Sequence, residues 1–432
     1  MKQAIRVARI SRRDVLGAGL AAIAAAPLAG CASLGGGPSI GRVVVVGGGF
    51  GGATAARYLR LWGGNVEVTL VERNAEFVSC PISNMVLGGH KQMSDITVSY
   101  AGLEAIGVKR IQGDAVAIDA QAKEVRLADG RKLRYDRLIV SPGVDFLLDQ
   151  VAGLAAPAAQ EKILHGWKAG PQTLALRRQL EAMPDGGVYA LAIPKAPYRC
   201  PPGPYERACM VASYLKQFKP RSKVLVLDAN PEITSKKGLF EKAFADHYKG
   251  IIEYRPNNEI KQVDAATNTA KLEFDDVKAD VLNVIPPQRA GDIARSAGLL
   301  NMNNRWVGVN WLSMESTAVP GIHVLGDATF SAPAMPKSGH MANQHAKVAA
   351  AAIIQLLKGQ PVSEAPVVMN TCYSFVTASD VIHVASVHQY DAKDKTFKTV
   401  PGSGGVSAAA NQVEGRHALA WASNIWADML AT

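Results

Sequence analysis

The chain has 432 residues, 48% of them hydrophobic and 19% charged, so it is long enough for two or three domains with substantial cores, and disorder is not expected. The formal net charge is +10, and the first thirty residues carry part of it, with five basic side chains against one acid. Lys and Arg form no dense stripe interleaved with aromatic residues, so the charge favours docking to an acidic partner over nucleic-acid binding.

The N-terminus has the pattern of an export signal. Residues 11–16 (SRRDVL) resemble a twin-arginine motif, and the apolar stretch Val15–Leu28 is too short to span a bilayer. We predict a signal peptide over residues 1–32, export of the folded protein to the periplasm, and no transmembrane segment; the alternative is a basic arm on a buried helix. Residues 28–31 also resemble a lipobox with Cys31 as the lipid-bearing residue, and the alternative is cleavage nearby with loss of Cys31.

The first motif is a glycine-rich turn between a strand and a helix. The β-branched run Arg42–Val46 predicts a buried parallel strand, and Gly47, Gly49 and Gly52 follow it in the pattern G-x-G-x-x-G. Such glycines serve the tight turn, the approach of the backbone to a pyrophosphate and close helix–strand packing. Glu72 ends the next strand, 20 residues after Gly52, where a carboxylate can accept a hydrogen bond from a ribose hydroxyl. This βαβ unit predicts a dinucleotide site.

Two later segments indicate that the dinucleotide is FAD. Residues 135–143 (YDRLIVSPG) resemble the strand and turn of two-dinucleotide flavoproteins, and residues 321–328 (GIHVLGDA) resemble their second FAD motif, in which Asp327 would bind the ribityl or pyrophosphate region. Each alone is a plain strand and turn, so the order of the three motifs carries the inference. Lys337 and His340 open a predicted long helix whose N-terminus would face the flavin pyrimidine edge and stabilise negative charge there; the alternative for both is a solvated loop.

A second βαβ pattern lies in the middle of the chain, with strands predicted at Val188–Ile193 and Val224–Leu227 and a helix at Tyr205–Lys216. Proline has no amide hydrogen, so a proline-rich loop does not suit NAD phosphates. The loop between the first strand and the helix contains five prolines: Pro194, Pro197, Pro201, Pro202 and Pro204. We predict an α/β fold with two Rossmann-like dinucleotide-binding domains plus a smaller α+β C-terminal domain. The predicted parts are an FAD-binding domain (40–150 and 284–360), a middle domain without a working NAD site (151–283) and a C-terminal domain (361–432).

The cysteine segments carry the most specific pattern. No Cys-x-x-Cys occurs, so neither a metal site nor haem attachment is expected on this chain. Residues 78–81 (VSCP), 197–206 (PYRCPPGPYE) and 370–374 (NTCYS) resemble the flavoprotein subunits of flavocytochrome c sulfide dehydrogenase. Residues 401–407 (PGSGGVS) are similar to the C-terminal domain of that family, and the resemblance covers essentially the whole mature length.

The resemblance implies a role for several residues. Cys80 would be joined to the flavin by a thioether; the alternative is a small buried thiol. Cys200 and Cys372 would form a redox disulfide over the flavin; the alternatives are a structural disulfide or two free thiols. Glu206 would be an active-site carboxylate that accepts the sulfide proton, although a first helical turn favours Glu on electrostatic grounds alone. Cys209 is assigned to the core.

The resemblance also implies a function and a partner. The expected reaction is FAD-dependent oxidation of sulfide to sulfur or polysulfide, with electrons passing to a separate c-type cytochrome subunit. Thr371 and Trp426 would lie between flavin and haem, while Trp426 and Trp421 are equally expected as anchors of the last helix. Two alternatives remain open: a sulfide:quinone reductase-like enzyme, and a non-enzymatic accessory that maintains the thiol state of a sulfur-oxidation carrier protein.

Overall fold

The computed structural model describes residues 38–432, and Ser39–Thr432 form one compact unit. The predicted signal peptide and Cys31 lie outside the described residues. Among residues 38–432, no helix combines the length and the apolar character needed to cross a bilayer.

The first sheet has seven strands and carries the glycine-rich turn. The last five strands in the spatial order given below are parallel to one another. Val43–Val46 are buried, as expected of a β-branched strand that is covered on both faces. The helix Phe50–Gly63 follows the turn and packs against the long helix Gly339–Leu357. In spatial order the strands are Val309–Asn310, Glu315–Ser316, Ile322–Val324, Arg137–Val140, Gly41–Val46, Val66–Glu72 and Lys109–Gln112.

The middle sheet has four parallel strands and repeats the βαβ arrangement. Its spatial order is Ile252–Arg255, Lys223–Asp228, Val188–Ile193 and Val281–Val284. The helix Gly203–Phe218 follows the proline-rich loop, two residues earlier at its start and two residues later at its end than the sequence predicts. The α/β class and the two Rossmann-like domains are therefore confirmed, while the domain boundaries stay predictions.

The C-terminal part is an antiparallel sheet followed by one helix. The strands Val367–Phe375, Val381–Asp391 and Thr396–Thr399 lie side by side, and Gly405–Val406 pairs with the second of them. The last helix, Gln412–Leu430, begins where the side chain of Asn411 accepts a hydrogen bond from the backbone of Glu414.

The remaining elements connect these layers. Two small sheets have three strands each: Ala115–Asp119, Glu124–Leu127 and Lys132–Arg134; and Gln262–Asp264, Thr269–Lys271 and Asp276–Lys278. Two strand pairs are Glu76–Val78 with Thr97–Ser99, and Val144–Phe146 with Gln288–Ala290. The other helices are Ser83–Leu87, Ala101–Ala105, Pro157–Lys162, Pro171–Ala182, Lys237–His247 and Asp292–Ser296, with 3₁₀ turns at Met93–Ile96, Leu148–Gln150 and Gly326–Ala328.

Two large hydrophobic clusters meet beside the functional region. One contains the first sheet with the long helix, and the other joins the middle sheet to the C-terminal sheet and last helix. Trp426 of the last helix packs against both clusters. The C-terminal sheet is thus held against both dinucleotide-type domains.

Candidate active site

The turn after the first strand leaves one face of its backbone open. Gly47 has φ +97°, and a Cβ atom there would lie 2.3 Å from the carbonyl oxygen of Ser141. A Cβ atom on Gly52 would lie 1.7 Å from the carbonyl oxygen of Gly47, so only glycine allows this helix–strand packing. A Cβ atom on Gly49 would meet no atom within 4 Å, so this face of the turn is free for a ligand.

A cavity of about 770 Å³ lies in front of the turn, within the usual range of ligand pockets. Gly47, Gly49, Glu72, Cys80 and Asp327 line it, whereas Gly52 lies behind the turn. Asp327 is buried, its Oδ1 atom has no hydrogen-bond partner, and burial raises the pKa of its carboxyl group. Because buried polar atoms are normally paired, this oxygen fits a hydroxyl group of a bound ligand. The cavity therefore fits FAD.

Glu72 takes part in the turn itself. Its Oε2 atom accepts a hydrogen bond from the backbone N–H of Gly48 at 2.7 Å, and its Oε1 atom accepts one from the backbone N–H of Asn74 at 2.8 Å. A carboxylate has about four acceptor positions, so Glu72 can still accept from a ribose hydroxyl, which stays its predicted role.

The structure differs from the sequence prediction at Lys337. Its ammonium group donates to the backbone carbonyl oxygens of Asp327, at 3.0 Å, and of Thr329, and it lies 3.8 Å from the ring centroid of Trp306. Lys337 does not line the cavity, and burial lowers its pKa to about 7. The side chain thus binds the turn that carries Asp327, because those carbonyls are nearer than the cavity. The sequence pattern could not indicate this direction.

Cys80 lies at the cavity beside the half-buried guanidinium group of Arg199. Its Sγ atom accepts hydrogen bonds from Nη2 of Arg199 at 3.4 Å and from the backbone N–H of Ala169 at 3.5 Å. Burial alone would raise the pKa of Cys80, but the charge and hydrogen bond of Arg199 outweigh it, and the pKa is lowered. This environment favours the thiolate, the nucleophilic form of cysteine.

Cys200 and Cys372 meet at the N-terminus of the long helix. The backbone N–H of Cys200 donates to the carbonyl oxygen of Lys337 at 2.8 Å, and Ser338 Oγ donates to Asn370, two residues before Cys372, at 2.6 Å. Both sulfurs belong to free thiols. Burial and then the proximity of Cys372 raise the pKa of Cys200, so the two thiols lie within electrostatic range of each other. The disulfide between them stays a prediction.

Glu206 lies in the first turn of the helix Gly203–Phe218 and is buried. Its Oε1 atom accepts a hydrogen bond from the backbone N–H of Phe375, and its Oε2 atom accepts one from the side chain of Asn84, both at 2.8 Å. Burial raises the pKa of this carboxyl group, although both hydrogen bonds oppose the shift. A raised pKa makes this carboxylate a stronger base than an exposed glutamate.

Family models match most of the described chain. Residues 173–286 match the central part of the "Sulfide dehydrogenase [flavocytochrome c] flavoprotein chain", residues 364–430 match "Flavocytochrome c sulphide dehydrogenase, flavin-binding", and residues 41–181 match "Pyridine nucleotide-disulphide oxidoreductase". The flavoprotein chain of sulfide dehydrogenase from Chlorobaculum thiosulfatiphilum is 62% identical over 45 residues, which are 94% of that sequence and 10% of this chain. The chain belongs to the family of flavocytochrome c sulfide dehydrogenase flavoproteins.

Membership of the flavocytochrome c sulfide dehydrogenase flavoprotein family agrees with more distant likenesses. Sulfide:quinone oxidoreductase of Mus musculus is 23% identical over 67% of this chain and 65% of its own length, and sulfide-quinone reductase of Aquifex aeolicus is 26% identical over 77% and 80%. The chain thus spans just under two thirds of the first of these relatives. The crystal structure of the A. aeolicus enzyme matches with a TM-score of 0.73 at 21% identity, covering 90% of this chain and 91% of that one, and shows the shared fold.

Two cations of this family member were not assigned from the sequence. Arg199 stands inside the segment 197–206, but nothing in the pattern indicates that it lies beside Cys80, 119 positions earlier. Lys236 donates to the carbonyl oxygen of Cys372 at 3.1 Å from another domain. No local sequence signal points to Lys236, because its importance depends only on tertiary contacts.

The carboxylate at the end of the strand Lys223–Asp228 accepts hydrogen bonds at both of its oxygens. Asp228 is buried, and its Oδ2 atom accepts from the hydroxyls of Tyr205, at 2.7 Å, and Tyr254, at 3.0 Å. Its Oδ1 atom accepts from the backbone N–H and the side chain of Asn230. In a working nucleotide site this position binds ribose, so these bonds favour the predicted loss of the NAD site.

The residues predicted to lie towards a haem flank the site. Trp426 Nε1 donates to Ser79 Oγ at 3.0 Å, next to Cys80 in the chain, and the backbone N–H of Thr371 donates to Nδ1 of His340 at 3.0 Å. The rings of His340 and Trp421 lie 5.8 Å apart. Trp426 therefore anchors the last helix beside the flavin cavity, and its role in electron transfer stays a prediction. Cys209 is in the core, as predicted.

Proposed function

We propose that this protein oxidises sulfide to sulfur or polysulfide through a Cys200–Cys372 redox disulfide and passes the electrons to a c-type cytochrome subunit. The observation that carries the proposal is that Cys200 and the segment of Cys372 both bond to the N-terminus of the long helix, whose residue Gly339 lines the flavin cavity. Glu206 lies within electrostatic range of both thiols. The curated names of the family and of the sulfide:quinone relatives support the substrate class.

The chain's own residues provide the sulfur chemistry. Hydrosulfide attacks the disulfide by thiol–disulfide exchange, which leaves a persulfide on one cysteine and a thiolate on the other. Glu206 accepts a proton from hydrogen sulfide, which gives the hydrosulfide that attacks. Bound FAD supplies a two-electron acceptor that can return electrons singly to a haem. Arg199 favours the Cys80 thiolate, which we propose forms the covalent bond to the flavin.

We also propose export to the periplasm by the twin-arginine route, with FAD loaded before export. A covalent bond at Cys80 suits that location, because an exported protein cannot be reloaded with FAD from the cytoplasm. Lipidation at Cys31 is a separate proposal, because the resemblance to a lipobox covers only residues 28–31.

Anaerobic turnover of sulfide by purified holoprotein tests the proposed acceptor. We expect reduction of added mitochondrial cytochrome c, at a rate at least tenfold above that of decylubiquinone, because the family name implies a haem acceptor. Absorbance at 550 nm follows the cytochrome, and loss of quinone absorbance follows the alternative. Faster quinone reduction would contradict the cytochrome proposal, and negligible turnover with either acceptor would favour the non-enzymatic accessory.

A further inference from the structure

Lys236 is a buried cation that crosses from the middle domain to the C-terminal sheet. Its backbone has φ +56°, immediately before the helix Lys237–His247, and the side chain is buried. The ammonium group donates to the carbonyl oxygen of Cys372 at 3.1 Å, to Ser374 Oγ at 2.7 Å and to the carbonyl oxygen of Ile382 at 3.3 Å. These three acceptors hold the charge beside the strand that carries Cys372.

The charge of Lys236 has no carboxylate partner. Within residues 38–432, no carboxylate oxygen lies inside the 4.0 Å limit of a salt bridge to its Nζ atom. Burial lowers the pKa of Lys236 to about 8, although the nearby thiols and Glu206 oppose the shift. Buried charges are normally paired, and Glu206 and Glu414 act on this ammonium group only from beyond salt-bridge distance. A thiolate of the reduced cysteine pair would add a nearer anion.

The two sulfurs have unequal surroundings. Cys372 Sγ accepts a hydrogen bond from Nδ2 of Asn370 at 3.3 Å, and the ammonium group of Lys236 donates to the backbone carbonyl oxygen of Cys372. Burial raises the pKa of Cys372, but the hydrogen bond of Asn370 and then the charge of Lys236 oppose the rise. Burial raises the pKa of Cys200, and Cys372 and Glu206 add to the rise, while Arg199 and Lys236 oppose it. The charge of Lys236 interacts more strongly with Cys372 than with Cys200. Cys372 is therefore the sulfur better suited to carry negative charge.

We propose that Lys236 is a positioning residue that stabilises Cys372 as a thiolate, which makes Cys372 the leaving sulfur and Cys200 the sulfur that receives the substrate atom. This inference rests on the function proposed above. In the step, hydrosulfide forms a bond to Cys200 Sγ and the Cys200–Cys372 bond breaks with its electron pair on Cys372. The products are a Cys200 persulfide and a Cys372 thiolate, so the single negative charge is conserved. A sulfur that leaves as a stabilised thiolate leaves faster.

Other charged or titratable groups also face the pair. They come from the helix Gly203–Phe218, the proline-rich loop, the long helix, the neighbouring strand and the last helix, and they are Glu206, Arg199, His340, His383 and Glu414. A substitution at Lys236 leaves all of these groups in place. If thiol reactivity falls when residue 236 is neutral and is kept when it is charged, the change is caused by the charge of Lys236.

Alkylation of the reduced holoprotein as a function of pH tests the inference without sulfide. Iodoacetamide labelling at Cys372 and Cys200 is read by mass spectrometry in wild type, Lys236→Met, Lys236→Arg and the exposed neighbour Lys237→Met. We expect Lys236→Met to slow labelling of Cys372 at pH 7.5 about tenfold, equal to about one pKa unit. Lys236→Arg and Lys237→Met should stay within about threefold of wild type. Equal labelling of Cys372 in Lys236→Met and wild type would overturn the role of Lys236.

The position of the persulfide in wild type gives a second test that needs no variant. One equivalent of sulfide is added to the oxidised holoprotein, and the mixture is trapped with iodoacetamide. A persulfide on Cys200 supports the inference, and a persulfide on Cys372 overturns it. A persulfide on neither cysteine would contradict the proposed function itself, while the alkylation profile would still decide whether Lys236 stabilises the Cys372 thiolate.

Discussion

At the scale of single residues, one half-buried and one buried cation each lie near a cysteine of the site. Arg199 lies 3.4 Å from Cys80 Sγ at the flavin cavity, and Lys236 binds the strand of Cys372. Arg199 lowers the pKa of Cys80, and Lys236 opposes the rise that burial causes in the pKa of Cys372. The core thiol Cys209 has no such neighbour, and burial raises its pKa well above the usual value.

Substitution of Cys80 tests the proposed covalent bond. Wild-type protein precipitated with acid should keep its yellow colour in the pellet, whereas Cys80→Ser should release essentially all flavin to the supernatant, because a serine hydroxyl is a far weaker nucleophile than a thiolate. Flavin absorbance of pellet and supernatant gives the measurement. Cys209→Ser is the matched control and should retain the coloured pellet; a colourless wild-type pellet would disprove the bond.

At the scale of elements, the site is assembled by helix N-termini that face the ends of strands. The helix Phe50–Gly63 begins at the open turn, and the long helix begins between the two cysteine-bearing segments. Helix N-termini carry partial positive charge and free amide groups, so both positions suit anionic ligands or intermediates. The last helix reaches the same region through Trp426 and its bond to Ser79.

Two alanine substitutions separate packing from ligand contact in the glycine turn. Gly52→Ala places Cβ 1.7 Å from a backbone oxygen and should lower the free energy of unfolding by about 3 kcal/mol or more. Gly49 has an extended backbone that alanine can adopt and no atom near its Cβ position, so Gly49→Ala should change stability by only about 0.5 kcal/mol and still lose flavin. Urea unfolding and flavin content per protein measure both effects. Full flavin content in Gly49→Ala would contradict the proposed approach of the phosphates.

At the scale of the whole molecule, the sequence predicts the strands and helices better than the tertiary contacts of individual side chains. The strand Val188–Ile193 and the long helix through Leu357 are found where their periodicity predicts them, because both are decided by local patterns. The cysteines were identified through segments specific to a family. Neither the contact of Lys236 with Cys372 nor that of Lys337 with Asp327 follows from the sequence, because both side chains bind backbone carbonyls brought near only by the tertiary fold.

The compact unit Ser39–Thr432 brings three distant segments to one site, and the central claim is that sulfide electrons enter the flavin through Cys200 and Cys372. Anaerobic mixing of holoprotein with sulfide in a stopped-flow spectrophotometer, followed at 450 nm, tests this directly. We expect rapid bleaching in wild type and in the core control Cys209→Ala, and a rate at least about a hundredfold lower in Cys200→Ser and Cys372→Ser. Equally fast bleaching in the Cys200→Ser protein would contradict the account.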